Sequence, residues 1–154
     1  MLKRRPKRMW EQLITSFIAS ATFAILFNAP RRTLFICGLV GMVGWIIYFE
    51  LVLRQYDYVP ATLIAAMVIS VLCQIFAKLY KTPIIIYSVA GIIPLVPGGL
   101  AYDATRKFVE NDYSLAVQLA AKALMISGSI AIGLIFSEVL MRISLRGYAY
   151  LKNN

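Results

Sequence analysis

The sequence predicts an all-α integral membrane protein: a helical bundle of about five hydrophobic segments, the fourth broken or re-entrant. Three observations carry that expectation. Of the 154 residues, 60% are hydrophobic and 15% charged, whereas a soluble domain holds about 45–50% apolar and about 25% charged residues. Mean hydropathy is +0.75, which implies more apolar surface than one small core can bury, so lipid is the natural solvent. The apolar residues also gather into runs close to the ~20 residues that a helix needs to cross a hydrocarbon core of about 30 Å.

The chain opens with MLKRRPKR, in which Lys3, Arg4, Arg5, Lys7 and Arg8 form a basic tail over 1–9. The first span, 10–28, lacks a small-residue cleavage site and ends in Asn28-Ala29-Pro30-Arg31-Arg32, so it reads as a retained anchor rather than a signal peptide. Spans two and three, 33–53 and 59–79, have 21 residues each. The fourth, 82–100, reads TPIIIYSVAGIIPLVPGGL. There Pro94 and Pro97 each remove a backbone donor and Gly98-Gly99 follows, so a continuous helix is not expected. The fifth, 115–141, has 27 residues, or about 40 Å at 1.5 Å per residue, and must tilt or protrude. Between the last two lies AYDATRKFVENDY, the one sizeable polar stretch. The spacing of Asp103 and Lys107 there suggests a short surface helix. Residues 147–154 read as a tail, which leaves 10–146 as a single transmembrane domain. Short connections make sequential helices antiparallel neighbours.

Composition excludes several function classes. Histidine is absent, which removes Ser-His-Asp, Cys-His and His-metal chemistry. Cys37 and Cys73 sit singly in apolar runs without CxxC spacing, so they read as small buried hydrophobes, and no metal or cofactor is expected. With no paired carboxylates on one helix face, a membrane-embedded enzyme is disfavoured. Formal charge is +9, but five cations ahead of a first span set topology or touch anionic lipid rather than bind nucleic acid. If all five segments cross, Lys and Arg divide without bias. If the fourth re-enters, they favour both ends inside.

Polar and small residues recur every four positions in the spans: Gln12, Ser16, Ser20, Ala24 and Asn28; Thr62, Ala66, Ser70, Gln74 and Lys78; Ser129, Gly133 and Ser137. Cys37, Gly41, Gly44 and Tyr48 make a further stripe. Small residues at this spacing let helix backbones approach in lipid, and that is their ordinary role. Lys122 lies about two turns into the fifth span, where it either snorkels to the interface or needs an anionic partner. Glu138 can pair with Arg142 and Glu50 with Arg54, both at i,i+4. Glu11 beside the tail is interfacial.

The most informative stretch is IIPLVPGGLAYD. A break leaves N–H and C=O groups without helical partners, which hydrocarbon tolerates only where protein covers them or water meets them. Transporters use such breaks, because a helix restarting there aims its positive end at a carboxylate. A helix restarting after Gly98-Gly99 would place Tyr102 and Asp103 in its first turn. The alternative is plain punctuation in a kinked helix.

Three groups of residues carry a resemblance: Phe27-Asn28-Ala29-Pro30 with Arg32; GMVGW over 41–45; and IPLVPGG over 93–99 with Tyr102. With these the chain resembles, over about 13–142, the small membrane subunit of the threonine/serine exporter family, which includes the smaller half of a two-component succinate exporter. The resemblance implies a multi-pass protein of the bacterial inner or plasma membrane and a larger ThrE-type partner, or a homo-oligomer. It also implies small carboxylate substrates (threonine, serine or succinate) and export driven by protons rather than ATP. Two features depart from the family: the tail is longer and more basic, and Trp45 stands where relatives often have histidine, so no proton role carries over there. From chemistry and resemblance together, the expected substrate-binding residues are Asn28, Pro94, Pro97, Gly98, Gly99, Tyr102 and Lys122. Glu50, Glu138 and Asp103 are the expected proton carriers. A scaffolding subunit without a pathway of its own is the rival expectation.

Overall fold

The computed structural model describes the backbone of residues 5–152, with side chains for 9–141 and 143. The side chains of the basic tail lie outside that range, as does Arg142, the partner expected for Glu138. Six α-helices follow in order: α1 Arg5–Leu26, α2 Leu34–Leu53, α3 Tyr58–Tyr80, α4 Ile84–Ile92, α5 Gly98–Val109 and α6 Tyr113–Lys152. Single 3-10 turns, Arg31–Thr33 and Ile93–Leu95, precede α2 and follow α4. No strand occurs among the described residues. Four helices, α1, α2, α3 and α6, are long and apolar enough to cross a membrane, and the α4–α5 pair makes a fifth segment bent by 54°. The chain is a multi-pass membrane protein.

α2 and α3 run over Leu34–Leu53 and Tyr58–Tyr80 against spans expected at 33–53 and 59–79, and the membrane-length part of α6 is Tyr113–Met141 against 115–141. The fourth segment stops being helical well before 100, and α5 absorbs both Gly98-Gly99 and the polar stretch that followed it. At the other end α6 carries on through Lys152 rather than giving way to a tail near 147.

Helix ends explain the turns. Asn28, Gln55, Lys81 and Asn111 all take left-handed φ, between 51° and 67°. In each case the next residue's N–H reaches back to a carbonyl five residues earlier, as Ala29 does to Ala24 at 2.9 Å and Thr82 to Ala77 at 3.1 Å. These are Schellman ends built without glycine. Pro30 and Pro83 then start the next helices with φ fixed near −55° and −58°. Asp57 caps α3 by accepting from the Tyr58 N–H at 2.7 Å.

Paired contacts set the directions. Gln12 Oε1 accepts from Trp45 Nε1 at 2.7 Å, and Ser20 sits against Gly41, so α1 and α2 are antiparallel. Cys37 meets the Ile86 carbonyl at 3.6 Å and Val40 meets Gly91, so α4 returns parallel to α2. Lys122 reaches Tyr58, Gly133 faces Ala66, and Ser70 bonds to the Leu134 carbonyl, so α6 runs parallel to α3. The chain therefore travels back across the bundle within α4–α5. Within the bundle the fourth segment thus runs from one end toward the other, as a broken span does, rather than turning back to the end it started from.

The core lies where α4 inserts among α1, α2 and α3. Tyr87, Ile69, Val40, Cys37 and Cys73 are fully buried there, and both cysteines are free. The Tyr87 hydroxyl accepts from Thr82 Oγ1 at 2.9 Å. Approach is close because side chains are missing where helices cross: a methyl at Gly41 would collide with Ser20, and one at Gly44 with Ile69. The small residues of these stripes thus serve packing, α1 against α2 and α3 against α6. In lipid, such van der Waals contact replaces the hydrophobic drive between helices. Large apolar side chains such as Ile18, Ile75, Leu124 and Ile135 point outward, as a lipid-facing surface requires.

Candidate functional site

The interruption between α4 and α5 begins with chemistry that the sequence dictates. Proline has no N–H, so Pro94 withdraws the donor that would have met the Ala90 carbonyl. The chain tightens into the turn Ile93–Leu95, where the Val96 N–H is shared between the carbonyls of Ile92 and Ile93, each at 3.2 Å. Pro97, with φ −78° and ψ 49°, forms an inverse γ-turn in which the Gly98 N–H meets the Val96 carbonyl at 2.8 Å. The first i→i−4 bond of α5 runs from Ala101 to Pro97 at 3.1 Å. The N–H groups of Gly99 and Leu100 precede it and have no intrahelical acceptor. The carbonyls of Pro94 and Leu95 likewise lack a donor four residues on.

Depth follows from register. Gly91 packs against Val40 and Ile69, and Ile69 lies midway along α3, so the break begins one turn from the middle of the bundle. Leu95 is buried, whereas Gly98 and Gly99 are exposed. A Cβ at either glycine would meet nothing within 4 Å, and neither has positive φ. The glycines are therefore not required by local packing or turn geometry. α5 packs on α6 through small residues such as Ala104 and Ala116 and leaves its first turn uncovered. A cleft of about 320 Å³ flanks that packing, but Phe108, Val117 and Ala120 make it apolar, with no convergent polar groups.

The structure brings Pro94, Pro97, Gly98, Gly99, Tyr102 and Asp103 into one local feature. Tyr102 and Asp103 fall in the second turn of α5, one turn later than expected, and both are exposed. Lys107 pairs with Glu110 at 2.6 Å, as does Arg106 at 2.8 Å, instead of Lys107 pairing with Asp103. Those two cations hold the Glu110 carboxyl below the usual carboxylate range.

Other expected residues stand apart. Asn28 is an exposed helix terminator at the end of the bundle where α1 turns into α2. Lys122 is at the opposite end, half-buried, with Nζ 4.0 Å from the centre of the Tyr58 ring. That cation–π contact at the start of α3 matches a snorkelling lysine. Glu50 pairs with Arg54 at 3.2 Å, and Glu138 is half-buried on α6. Trp45 ties α2 to Gln12 of α1. Among the described residues, no three of His, Cys, Asp and Glu converge where a metal ion could sit.

A discontinuous segment of this kind, in a small bundle of five apolar segments, coincides with a family match. The model described as "Threonine/Serine exporter, ThrE" matches residues 12–140. The chain belongs to the threonine/serine exporter family. Its similarity to the Corynebacterium glutamicum threonine/serine exporter is 26% identity over 131 residues, which cover 85% of this chain and 27% of that protein. The chain thus spans about a quarter of the length of that exporter-family relative. No solved structure matches it.

Proposed function

We propose that this chain is a membrane subunit of a proton-coupled exporter of small carboxylate metabolites, threonine and serine or a dicarboxylate such as succinate. A larger ThrE-type subunit completes the transporter in the cell membrane. The observation that carries this reading is the interruption at 93–98. It begins about one turn from the middle of the bundle, with the N–H groups of Gly99 and Leu100 unpaired and Gly98-Gly99 open on one side. Hydrocarbon cannot satisfy such groups, so protein or water must meet them. The C. glutamicum relative, of which the matched part is 27%, supports a larger companion as the cover.

In this reading a substrate carboxylate is held at the N-terminus of α5, where unpaired donors and the helix dipole favour negative charge. Tyr102, one turn on, offers a hydroxyl. Lys122 acts at the mouth near Tyr58, drawing anions toward the route rather than binding them at the break. Glu138 or a partner carboxylate carries the proton. Glu50, held by Arg54, and Asp103, exposed on α5, are the weaker candidates.

Efflux from intact cells tests the proposal. Lys122→Met is expected to slow export of L-threonine, L-serine or succinate several-fold while the complex still assembles, and co-purification in mild detergent is expected to bring down a larger membrane protein. Unchanged efflux from a well-expressed variant would remove Lys122 from the mechanism. The scaffold reading, favoured by the tight Ser20–Gly41 crossing, makes a different forecast: substitutions at Gly98 and Gly99 would alter stability or assembly, not substrate preference.

A further inference from the structure

The facing stripes of α3 and α6 carry two buried groups that the fold leaves unsatisfied. Gly133 sits against Ala66, and Ser70 Oγ donates to the Leu134 carbonyl at 3.2 Å. Ser137 lies one turn beyond Gly133 and Gln74 one turn beyond Ser70, so both remain on this seam. Helical side chains lean toward the N-terminus, which brings the Gln74 amide back toward the level of Ser70. The parallel register puts Ser137 at that same level. Ser137 is 2% exposed and Gln74 8%, yet Ser137 Oγ and Gln74 Nε2 have no hydrogen-bond partner. On the same helix as Ser137, Ser129 satisfies itself on the Met125 carbonyl at 2.9 Å, whereas Ser20, pressed against Gly41 in the α1–α2 crossing, is the third buried side chain without a partner among the described residues.

We propose that Gln74 and Ser137 form a polar station in the α3–α6 seam that takes a carboxylate or hydroxyl oxygen of the transported solute. The amide offers N–H donors and the serine an O–H donor. Neither carries a charge that would be costly to bury when the station is empty. The station lies on the far side of the bundle middle from the break, toward the C-terminal end of α3, and so would act at a second depth. It rests on the reading that this chain lines an export route.

The test uses the native complex in proteoliposomes, with L-threonine, L-serine and succinate assayed separately. Gln74→Leu is expected to raise the half-saturating concentration of a transported solute about tenfold, the loss expected for hydrogen bonds to a charged group. Ser137→Ala is expected to raise it less. Both variants should also weaken the protection against thermal unfolding that the solute confers on the wild-type complex. Unchanged half-saturation would overturn the station. A rise in thermal stability alongside it would mark the two groups as a packing flaw, and a fall would mark a bound water. Should Gln74→Leu fail to assemble, Ser137→Ala, which loses a single oxygen, decides alone. Gly98→Ala separates the two claims. If it slows export while the seam variants do not, the station falls and the exporter reading stands; if none of the three changes transport, the exporter reading falls with it.

Discussion

Glycines in this protein are of two kinds, and a single methyl group tells them apart. At Gly133 an added Cβ would lie 2.9 Å from both Ala66 Cβ and the Leu63 carbonyl oxygen. A backbone oxygen cannot step aside, so Gly133→Ala should cost about 1–3 kcal/mol, read as a lowered unfolding temperature in detergent. Gly98→Ala meets open space and should leave stability level or raise it by up to about 1 kcal/mol through helix propensity. Export should nevertheless fall, because the new methyl crowds the free donors of α5. Four-residue spacing picked out Gly133 and the proline-glycine break picked out Gly98, but neither signal could rank them, since a sequence pattern does not name the neighbour a methyl would meet. Lys122 makes the same point. Its depth in the fifth span was legible, but the ring that receives it, Tyr58, belongs to another helix.

Boundaries were readable where hydropathy and backbone chemistry agree, and misleading where they part. α2 and α3 fill their apolar runs because Schellman ends at Gln55 and Lys81 stop them, while Pro30 and the Asp57 cap precede their starts. Across 93–100 the run stays apolar while the prolines dictate the backbone. Gly98 and Gly99, poor helix formers in general, still enter the first turn of α5 behind Pro97. The helix ends yield two expectations. Gln55 holds φ 67°, a conformation that costs a side-chain-bearing residue about 1 kcal/mol. Gln55→Gly should recover that amount in an unfolding measurement. At the α5 end, Glu110 is held by Arg106 and Lys107, and its folded pKa is lowered. The stability it lends is therefore present above the ordinary carboxylate pKa and disappears as pH falls through the lowered folded value. Hydrogen exchange at residues 106–112 should accelerate on acidification through that range, and Glu110→Gln should abolish the dependence.

At the scale of the molecule, the parallel pairing of α3 with α6 makes the two ends of the chain emerge on opposite sides. Charge counting could not decide this, because Lys and Arg divide evenly when all five segments cross. With Cys37 and Cys73 buried, single cysteines introduced at Gln55 and Asp112 should react with an impermeant thiol reagent from one side, and those at Arg31 and Lys81 from the other. The all-α bundle and its family were legible from composition and from the NAP and IPLVPGG segments. The pairing of stripes was not, because sequence alone does not state which helices lie together. One face of the break stays open in the single chain, and a partner or water has to meet it in the membrane.

The measurement closest to that central claim is thiol accessibility at Gly98→Cys in native membranes, with Leu124→Cys as the lipid-facing reference. Leu124 is 73% exposed on α6. An interruption that meets water or substrate predicts labelling of position 98 well above position 124, slowed by saturating L-threonine, L-serine or succinate. A cysteine at 98 that stays as unreactive as the one at 124, with or without solute, would contradict the account.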